Sequence, residues 1–383
     1  MKRRPVILTE IIAPYRIPVF NALAARHDLD PHVIFLSEND PSFRQWHVYK
    51  DEIKFSYEVL PSFRRHIGSY NLLLNKGVES ALRRASPQAI ICGGYNFRAY
   101  WRAARWGWRN RVSLLLWSES NAADKPRNRA VEFLKKRFAR MCRAHIAAGI
   151  SSRDYLLQLG APPFSVFIAP DAVDVSLYAA AAAKARASSA PLRIEHELPE
   201  RYFLYVGRLV EEKGVFDLLA AYSALDENIR ARVGLVYVGE GAAREALQRR
   251  ASNIHHGDIK FCGWVHRERI SEFYALADAL IFPTHSDPWG LVVNEAMACG
   301  LPIVASDVAG CAADLVCPSK NGFTYRPRDT DALSEIMQTL AAQPGLIQSM
   351  GAQSLEMIQS HTPERCAAGF AAAIDFACGD RVA

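Results

Sequence analysis

The chain has 383 residues, half of them hydrophobic and 22 % charged, with a formal net charge of +6. This length exceeds one ordinary hydrophobic core and predicts two domains, while the composition excludes a disordered or fibrous protein. No run of about 18 uncharged apolar residues occurs, which excludes a membrane-spanning helix.

From the start, Met1-Lys2-Arg3-Arg4-Pro5 is basic, but the apolar run Val6-Ile7-Leu8 meets Thr9 and Glu10 at once. That is too short for an export signal, so a cytoplasmic protein is expected. Short apolar, β-branched-rich runs then recur with helical stretches between them, at Pro5–Glu10, His32–Ser37, Gln88–Gly94, Val112–Glu119, Ala144–Gly149 and Val166–Pro170. A second series follows at Tyr202–Leu209, Gly234–Gly241, Ile259–Trp264, Ala279–Thr284, Pro302–Asp307 and Gly322–Pro327. Strands buried on both faces of parallel sheets give this pattern, which predicts an α/β protein of two doubly wound, Rossmann-like domains facing each other across a cleft.

Between the two series, Ser176–Glu200 has no strand-like run and holds Ala179–Ala183. It reads as an interdomain linker. The expected division is an N-terminal domain over 1–178, a linker over 179–200, a C-terminal domain over 201–361 and a closing helix over 362–383. That helix opens on Thr-Pro-Glu and can pack on either domain, packing back on the N-terminal one being one of the two arrangements.

Charge is unevenly spread. Residues 1–180 carry 27 Lys and Arg against 15 Asp and Glu, and the remainder 19 against 25. In the basic half, Arg127–Ala144 places Val131, Leu134, Phe138 and Met141 at helical spacing with Lys135, Lys136, Arg137, Arg140 and Arg143 mostly off that stripe. Tyr100–Arg109 interleaves aromatics with arginines. Cations with aromatics suit an anionic membrane surface, and no nucleic-acid-binding motif accompanies them. His145 opens an apolar run and reads as a core histidine. The eight cysteines contain no CxxC pair and read as reduced core thiols.

Two segments carry the chemistry. Val206-Gly207-Arg208-Leu209-Val210-Glu211-Glu212-Lys213-Gly214 joins a strand to a helical run. Its glycines permit close backbone approach, and Arg208 with Lys213 offers full positive charge to a diphosphate. In Pro283–Pro302, Asp287 falls in a loop and Glu295 about one turn inside a helix that starts near Gly290-Leu291. Both carboxylates can face one ligand, with the free N–H groups of Gly290, Leu291 and Val292 between them to meet phosphates.

This second segment resembles the acidic-x7-Glu signature of the retaining family 4 of GT-B glycosyltransferases, the glycosyl transferases group 1. Gly207-Arg208 with Lys213, the Val238-Gly239-Glu240-Gly241 turn, Phe261-Cys262-Gly263-Trp264 and Gly300–Asp307 fall where that family has matching pieces, so the likeness covers nearly all of 200–330. Thr9–Asn21 is similar to the first-strand loop of one branch, and Ile168–Asp174 to the segment leaving the N-terminal domain. Asp287 stands where the family most often has Glu, and Asp171-Ala172 where it usually has Asn-Gly. Trp117-Ser118-Glu119-Ser120 occupies the expected place of an acceptor-side histidine.

The resemblance implies a metal-independent, retaining transfer of a sugar from a nucleotide-diphosphate donor to a glycan or lipid-linked acceptor in cell-surface polysaccharide assembly. It assigns Arg208 and Lys213 to the diphosphate, Asp287 to the transferred sugar and Glu295 to the ribose hydroxyls, with Gly207, Gly239, Gly263, Gly290, Leu291 and Val292 lining the donor. Pro14, Tyr15, Arg16 and Glu119 are the acceptor-side candidates. No cofactor and no metal site are expected, and partners are the nucleotide sugar, the acceptor and an anionic membrane at whose inner face the protein would sit peripherally. Fixed cations beside a departing diphosphate can replace a metal ion. Two other readings stand beside it: a nucleotide-sugar 2-epimerase, which shares two Rossmann-like domains but against which Arg208 and Lys213 with Asp287 and Glu295 at transferase spacing speak, and a non-catalytic nucleotide-sugar-binding protein.

Overall fold

The computed structural model describes residues 2–40, 47–67, 70–123 and 128–379. They form two compact units, Met1–Ala172 with Thr362–Ala383, and Val173–His361. Arg127, where the sequence pattern starts its basic helix, lies outside the described residues, as do 380–383 of the closing helix.

The first unit contains β1 (Pro5–Thr9), β2 (His32–Phe35), β3 (Ser56–Val59), β4 (Ser62–Ile67), β5 (Tyr70–Asn75), β6 (Ala89–Cys92), β7 (Ser113–Ser118), β8 (Ala144–Ala147) and β9 (Val166–Ile168). Seven of these make one parallel sheet in the order β3-β2-β1-β6-β7-β8-β9, and β4-β5 is a separate antiparallel hairpin. Every residue of β1, β6 and β8 is buried, as strands covered on both faces require. The winding reverses between β1 and β6, the place where such sheets bind ligands. The periodicity missed β3 and the hairpin, because Ser-Tyr-Glu-Val is a half-exposed edge and Arg64-Arg65-His66 breaks the apolar signal.

The last helix, Pro363–Cys378, belongs to this unit although its sequence follows the other one. Thr362 caps it, its side-chain oxygen accepting from the Arg365 N–H. The helix packs on β7, β8, β9 and on Ile17–Ala24. Phe370 is fully buried against Trp117, ring centroids 5.1 Å apart and edge to face, and Trp117 meets Phe20 at 6.0 Å.

The second unit contains β10 (Tyr202–Val206), β11 (Gly234–Val238), β12 (Ile259–Phe261), β13 (Ala279–Phe282), β14 (Ile303–Ser306) and β15 (Gly322–Tyr325), each within a run expected from sequence. All pair in parallel in the order β12-β11-β10-β13-β14-β15. This is a doubly wound Rossmann-like sheet with its reversal between β10 and β13.

The expected linker over 179–200 is corrected: Val175–Ala187 and Ser189–Glu195 are helices, and the units divide between Ala172 and Val173. Asp174 caps the first of them, accepting from the Leu177 N–H at 2.9 Å, and the alanine run is the best helix former available. That helix packs against Arg267–Leu276 and Leu291–Ala298, so it is part of the second unit's body.

The N-terminal basic segments are also redistributed. In the helix Arg98–Asn110, Tyr100 is buried and Trp101 stacks edge-on to Phe138 at 5.0 Å, so of its aromatics only Trp108 is exposed. His145 is a core residue, its two ring nitrogens 3.0 Å from Ser165 Oγ and the Ala139 carbonyl, with burial lowering its pKa. Seven cysteines are buried or half-buried, Cys317 is exposed, and no disulfide joins any of the eight.

Phe370→Ala is expected to cost the first unit about 3–5 kcal/mol, the usual loss for an aromatic removed from a core. Denaturant unfolding followed by Trp117 fluorescence reads it, and an unchanged midpoint would show that the last helix is not part of this core.

Candidate functional site

At the carboxyl edge of the second sheet three loops are tied together by their backbones. The Gly207 N–H donates to the Val238 carbonyl at 3.0 Å, and the Gly239 N–H to the Gly263 carbonyl at 2.7 Å. Gly239 has φ of 135°, and a Cβ there would lie 1.9 Å from the Gly207 carbonyl oxygen. Only glycine lets these chains approach so closely. Three of the four glycines predicted to line the donor, Gly207, Gly239 and Gly263, are therefore brought together.

The loop after β10 then turns through Glu211–Lys213 and is pressed onto the loop after β13: a Cβ on Gly214 would lie 1.8 Å from the Pro283 carbonyl oxygen. The His285 N–H donates to the Glu212 carbonyl at 2.9 Å, and His285 Nε2 lies 2.6 Å from Asp217 Oδ2. This contact brings two predicted residues together. Lys213 Nζ donates to Asp287 Oδ2 and to the Ser286 carbonyl, both at 2.7 Å. The Trp289 N–H donates to Asp287 Oδ1 at 3.1 Å, which fixes the carboxylate from its other side. An ammonium has three donors, so Lys213 keeps one for a further acceptor.

Arg208 differs. Its side chain is exposed and has no ion pair among the described residues, while Tyr205 OH donates to its carbonyl at 2.8 Å. It is a held backbone carrying a free cation.

The helix Leu291–Ala298 starts at Gly290, which is left-handed with φ of 103°, and no side chain caps it. The first backbone bond is from Val293 N–H to Gly290 carbonyl, leaving the N–H groups of Leu291 and Val292 at the open end. Glu295, one turn in, is half-buried and accepts from Tyr274 OH at 2.8 Å and from Tyr178. Burial raises its pKa, and the two tyrosine hydroxyls oppose that rise by favouring the ionised form. Sequence reasoning missed both tyrosines, because Tyr178 lies in the stretch taken for a linker.

In the first unit, Pro14, Tyr15 and Arg16 form one turn after β1, and Arg16 meets Glu119 after β7. Arg16 Nη2 donates to Glu119 Oε1 at 2.6 Å and Nη1 to Thr9 Oγ1 at 2.8 Å, and the guanidinium lies 4.2 Å over the Trp117 ring. Burial opposes the charge on Arg16, but Glu119, Tyr15 and Asp171 together outweigh it and hold the group ionised. A second polar cluster was not foreseen: Arg64 of the hairpin donates to Glu10 at 2.8 Å and to buried Asp40 at 2.6 Å, and Asn71 donates to Glu10 at 3.2 Å. Its members lie far apart in sequence, so no motif betrays it. Among the described residues no three His, Cys, Asp or Glu side chains gather where they could hold a metal ion.

Two doubly wound Rossmann-like domains, with paired acid and base at the reversal of the second, define the class as GT-B. Residues 191–357 match the family described as Glycosyl transferases group 1, and the C-terminal domain belongs to it. Glycogen synthase of Mycobacterium tuberculosis is 29 % identical over 206 residues, 53 % of this chain and 46 % of that one. O-antigen chain mannosyltransferase B of Escherichia coli is 32 % identical over 142 residues, 36 % of each. The chain thus spans less than half the length of these curated relatives. Among solved structures, Anabaena HepE in complex with UDP superposes with a TM-score of 0.77 at 18 % identity, covering 98 % of this chain and all of that one. Sucrose-phosphate synthase of Thermosynechococcus elongatus gives 0.72 at 20 %, covering 97 % and 98 %. At these identities the likeness extends to the fold.

If Glu295 accepts from ligand hydroxyls, nucleotide affinity is present above its raised pKa and lost as pH falls through it, at a higher pH than for an ordinary carboxylate. Tyr274→Phe removes a donor to the ionised form, so the loss should move to still higher pH. Calorimetric titration across pH reads this, with Glu295→Gln as the baseline that keeps only the phosphate's own titration. A Tyr274→Phe profile identical to the parent's would disprove the coupling.

Proposed function

We propose that the protein is a retaining glycosyltransferase that moves a sugar from a nucleotide-diphosphate donor to a glycan or lipid-linked acceptor in cell-surface polysaccharide assembly, without a metal ion. The observation that carries this reading is the Lys213–Asp287 contact at the β10–β13 reversal, with Glu295 one turn inside the helix Leu291–Ala298 that follows. A cation for a diphosphate and an anion for a sugar are adjacent there, as the two halves of such a donor demand. HepE, of the same fold, is described in complex with UDP-glucose, which supports a nucleotide sugar as the ligand.

In this reading the bond from the anomeric carbon to the diphosphate oxygen breaks, and its electron pair leaves with the nucleotide. The acceptor hydroxyl oxygen bonds to that carbon on the same face and gives its proton to the departing phosphate. Arg208, Lys213 and the N–H groups of Leu291 and Val292 offset the charge growing on the phosphate, which is the role a metal would otherwise fill. Asp287 accepts from sugar hydroxyls and opposes the positive charge developing on the anomeric carbon.

Arg208→Ala and Lys213→Ala should each lower turnover by roughly 10²–10³-fold. They separate on stability. Arg208 has no ion pair among the described residues and its loss should leave the melting temperature alone, whereas Lys213→Ala strands Asp287 and should also cost about 1–3 kcal/mol. Equal melting of the two variants would contradict the ion pair, and parental turnover would remove the diphosphate role. Asp287→Asn should lose turnover while keeping nucleotide affinity.

Product analysis tests the reaction itself. Proton NMR of the new anomeric centre should show retained configuration, with turnover undiminished by a chelator. An inverted product, turnover abolished by the chelator, or an epimerised donor formed without acceptor would each overturn the proposal.

A further inference from the structure

The basic helix Arg129–Met141 differs from a soluble surface helix in where its apolar residues point. Of the stripe Val131, Leu134, Phe138 and Met141, only Phe138 is buried. Val131 is 43 % exposed, Leu134 51 %, Met141 42 %, and Phe133, off the stripe, 66 %. Leaving four large apolar side chains in water on one short helix forgoes the burial that ordinarily holds a helix to its domain.

The cations sort with equal clarity. Lys135 is turned inward, donating to Glu132 at 2.9 Å and to Tyr155 OH at 2.8 Å, so it is a structural residue and leaves the group of surface charges expected from sequence. Arg129, Lys136, Arg137 and Arg140 are exposed, and among the described residues none has an ion-pair partner. At about 100° per residue, Lys136, Arg129 and Arg140 fall within about 40° of one another. Phe133, Met141 and Leu134 span the next ~100°, with Arg137 among them. A groove of about 510 Å³ lined by Arg129, Glu132, Phe133, Lys136 and Gln158 adjoins this face.

We propose that the outer face of Arg129–Met141 is a docking surface for an anionic lipid bilayer, with Phe133, Leu134 and Met141 entering the interface and Arg129, Lys136, Arg137 and Arg140 pairing with lipid phosphates. Charge complementarity chooses this occupant. A second copy of the chain would set four unpaired cations against four others, and a nucleic acid would satisfy the cations but leave aliphatic Leu134 and Met141 against phosphates. A bilayer satisfies both, since its headgroups are anionic and the acyl region below them is apolar. The surface acts independently of sugar transfer and is read without a donor.

The experiment is sedimentation of the full chain with vesicles of phosphatidylcholine, with and without an equal part of phosphatidylglycerol. The protein should sediment with the anionic vesicles only, and less so as salt rises. Replacing Lys136, Arg137 and Arg140 together by Ser should weaken partitioning by about 10²-fold, near fivefold per cation. Phe133→Ser with Leu134→Ser should weaken it by at least about tenfold. All five residues are exposed, so circular dichroism and melting should match the parent, and donor binding in solution should be unchanged. Phe133→Trp should show blue-shifted emission on adding anionic vesicles. The proposal falls if the parent ignores anionic vesicles, if the triple variant binds as the parent does, or if the apolar pair proves necessary for self-association or oligonucleotide binding and not for vesicles.

Discussion

The site depends on how closely the loops after β10 and β13 approach each other. Gly214 sits against the Pro283 carbonyl with no room for a side chain, and this brings Lys213 within 2.7 Å of Asp287. A lysine is long and flexible, and holding it in one rotamer costs conformational entropy. Here the cost is offset by two hydrogen bonds to Ser286 and Asp287 in a setting largely shielded from water. The cation is thereby placed before any ligand arrives, which is what an electrostatic role in catalysis requires.

The two carboxylates of the signature stand in different environments. Asp287 faces a full positive charge and a backbone N–H, whereas Glu295 is half-buried and faces only neutral hydroxyls. A cation compensates an anion more strongly than a phenol does, and Glu295, which faces only phenols, keeps a pKa raised by burial. In the proposed reaction, one of these acids would meet a charged transition state and the other a neutral ribose. Tyr274 and Tyr178 come from the helices Arg267–Leu276 and Val175–Ala187, so the segment between the sheets helps to shape the motif.

The N-terminal half concentrates cations, yet they serve separate ends. Arg16 and Arg64 are drawn into polar clusters near the carboxyl ends of β1 and β2, Arg102 pairs with Glu79, and Lys135 braces Tyr155. Arg129, Lys136, Arg137 and Arg140, exposed and without an ion-pair partner among the described residues, share one helix with several exposed apolar side chains, whereas other exposed cations such as Arg105 and Arg109 lie on a helix where Trp108 is the one large apolar side chain exposed. Net charge alone would have spread this surface over the whole domain.

The two-sheet α/β organisation was legible in the chain, because strands buried on both faces must be apolar throughout and the runs around Val6, Ile90, Leu204 and Ile281 are. The loops of the candidate site were equally legible, since Gly207-Arg208, Lys213, Asp287, Gly290 and Glu295 lie within two short stretches where spacing fixes geometry. What required the tertiary structure was everything decided by contacts between distant segments. The Thr362–Gly379 stretch reads as a helix from its own residues, but only the hydrophobic face of Phe370 against Trp117 settles that it completes the first unit. Ala179–Ala183 looks like a spacer because alanine carries no pattern, and the packing of its helix on Arg267–Leu276 makes it part of a domain. Val131, Leu134 and Met141 obey the periodicity of a buried stripe and are nonetheless exposed, because periodicity records which residues share a face and not what that face meets.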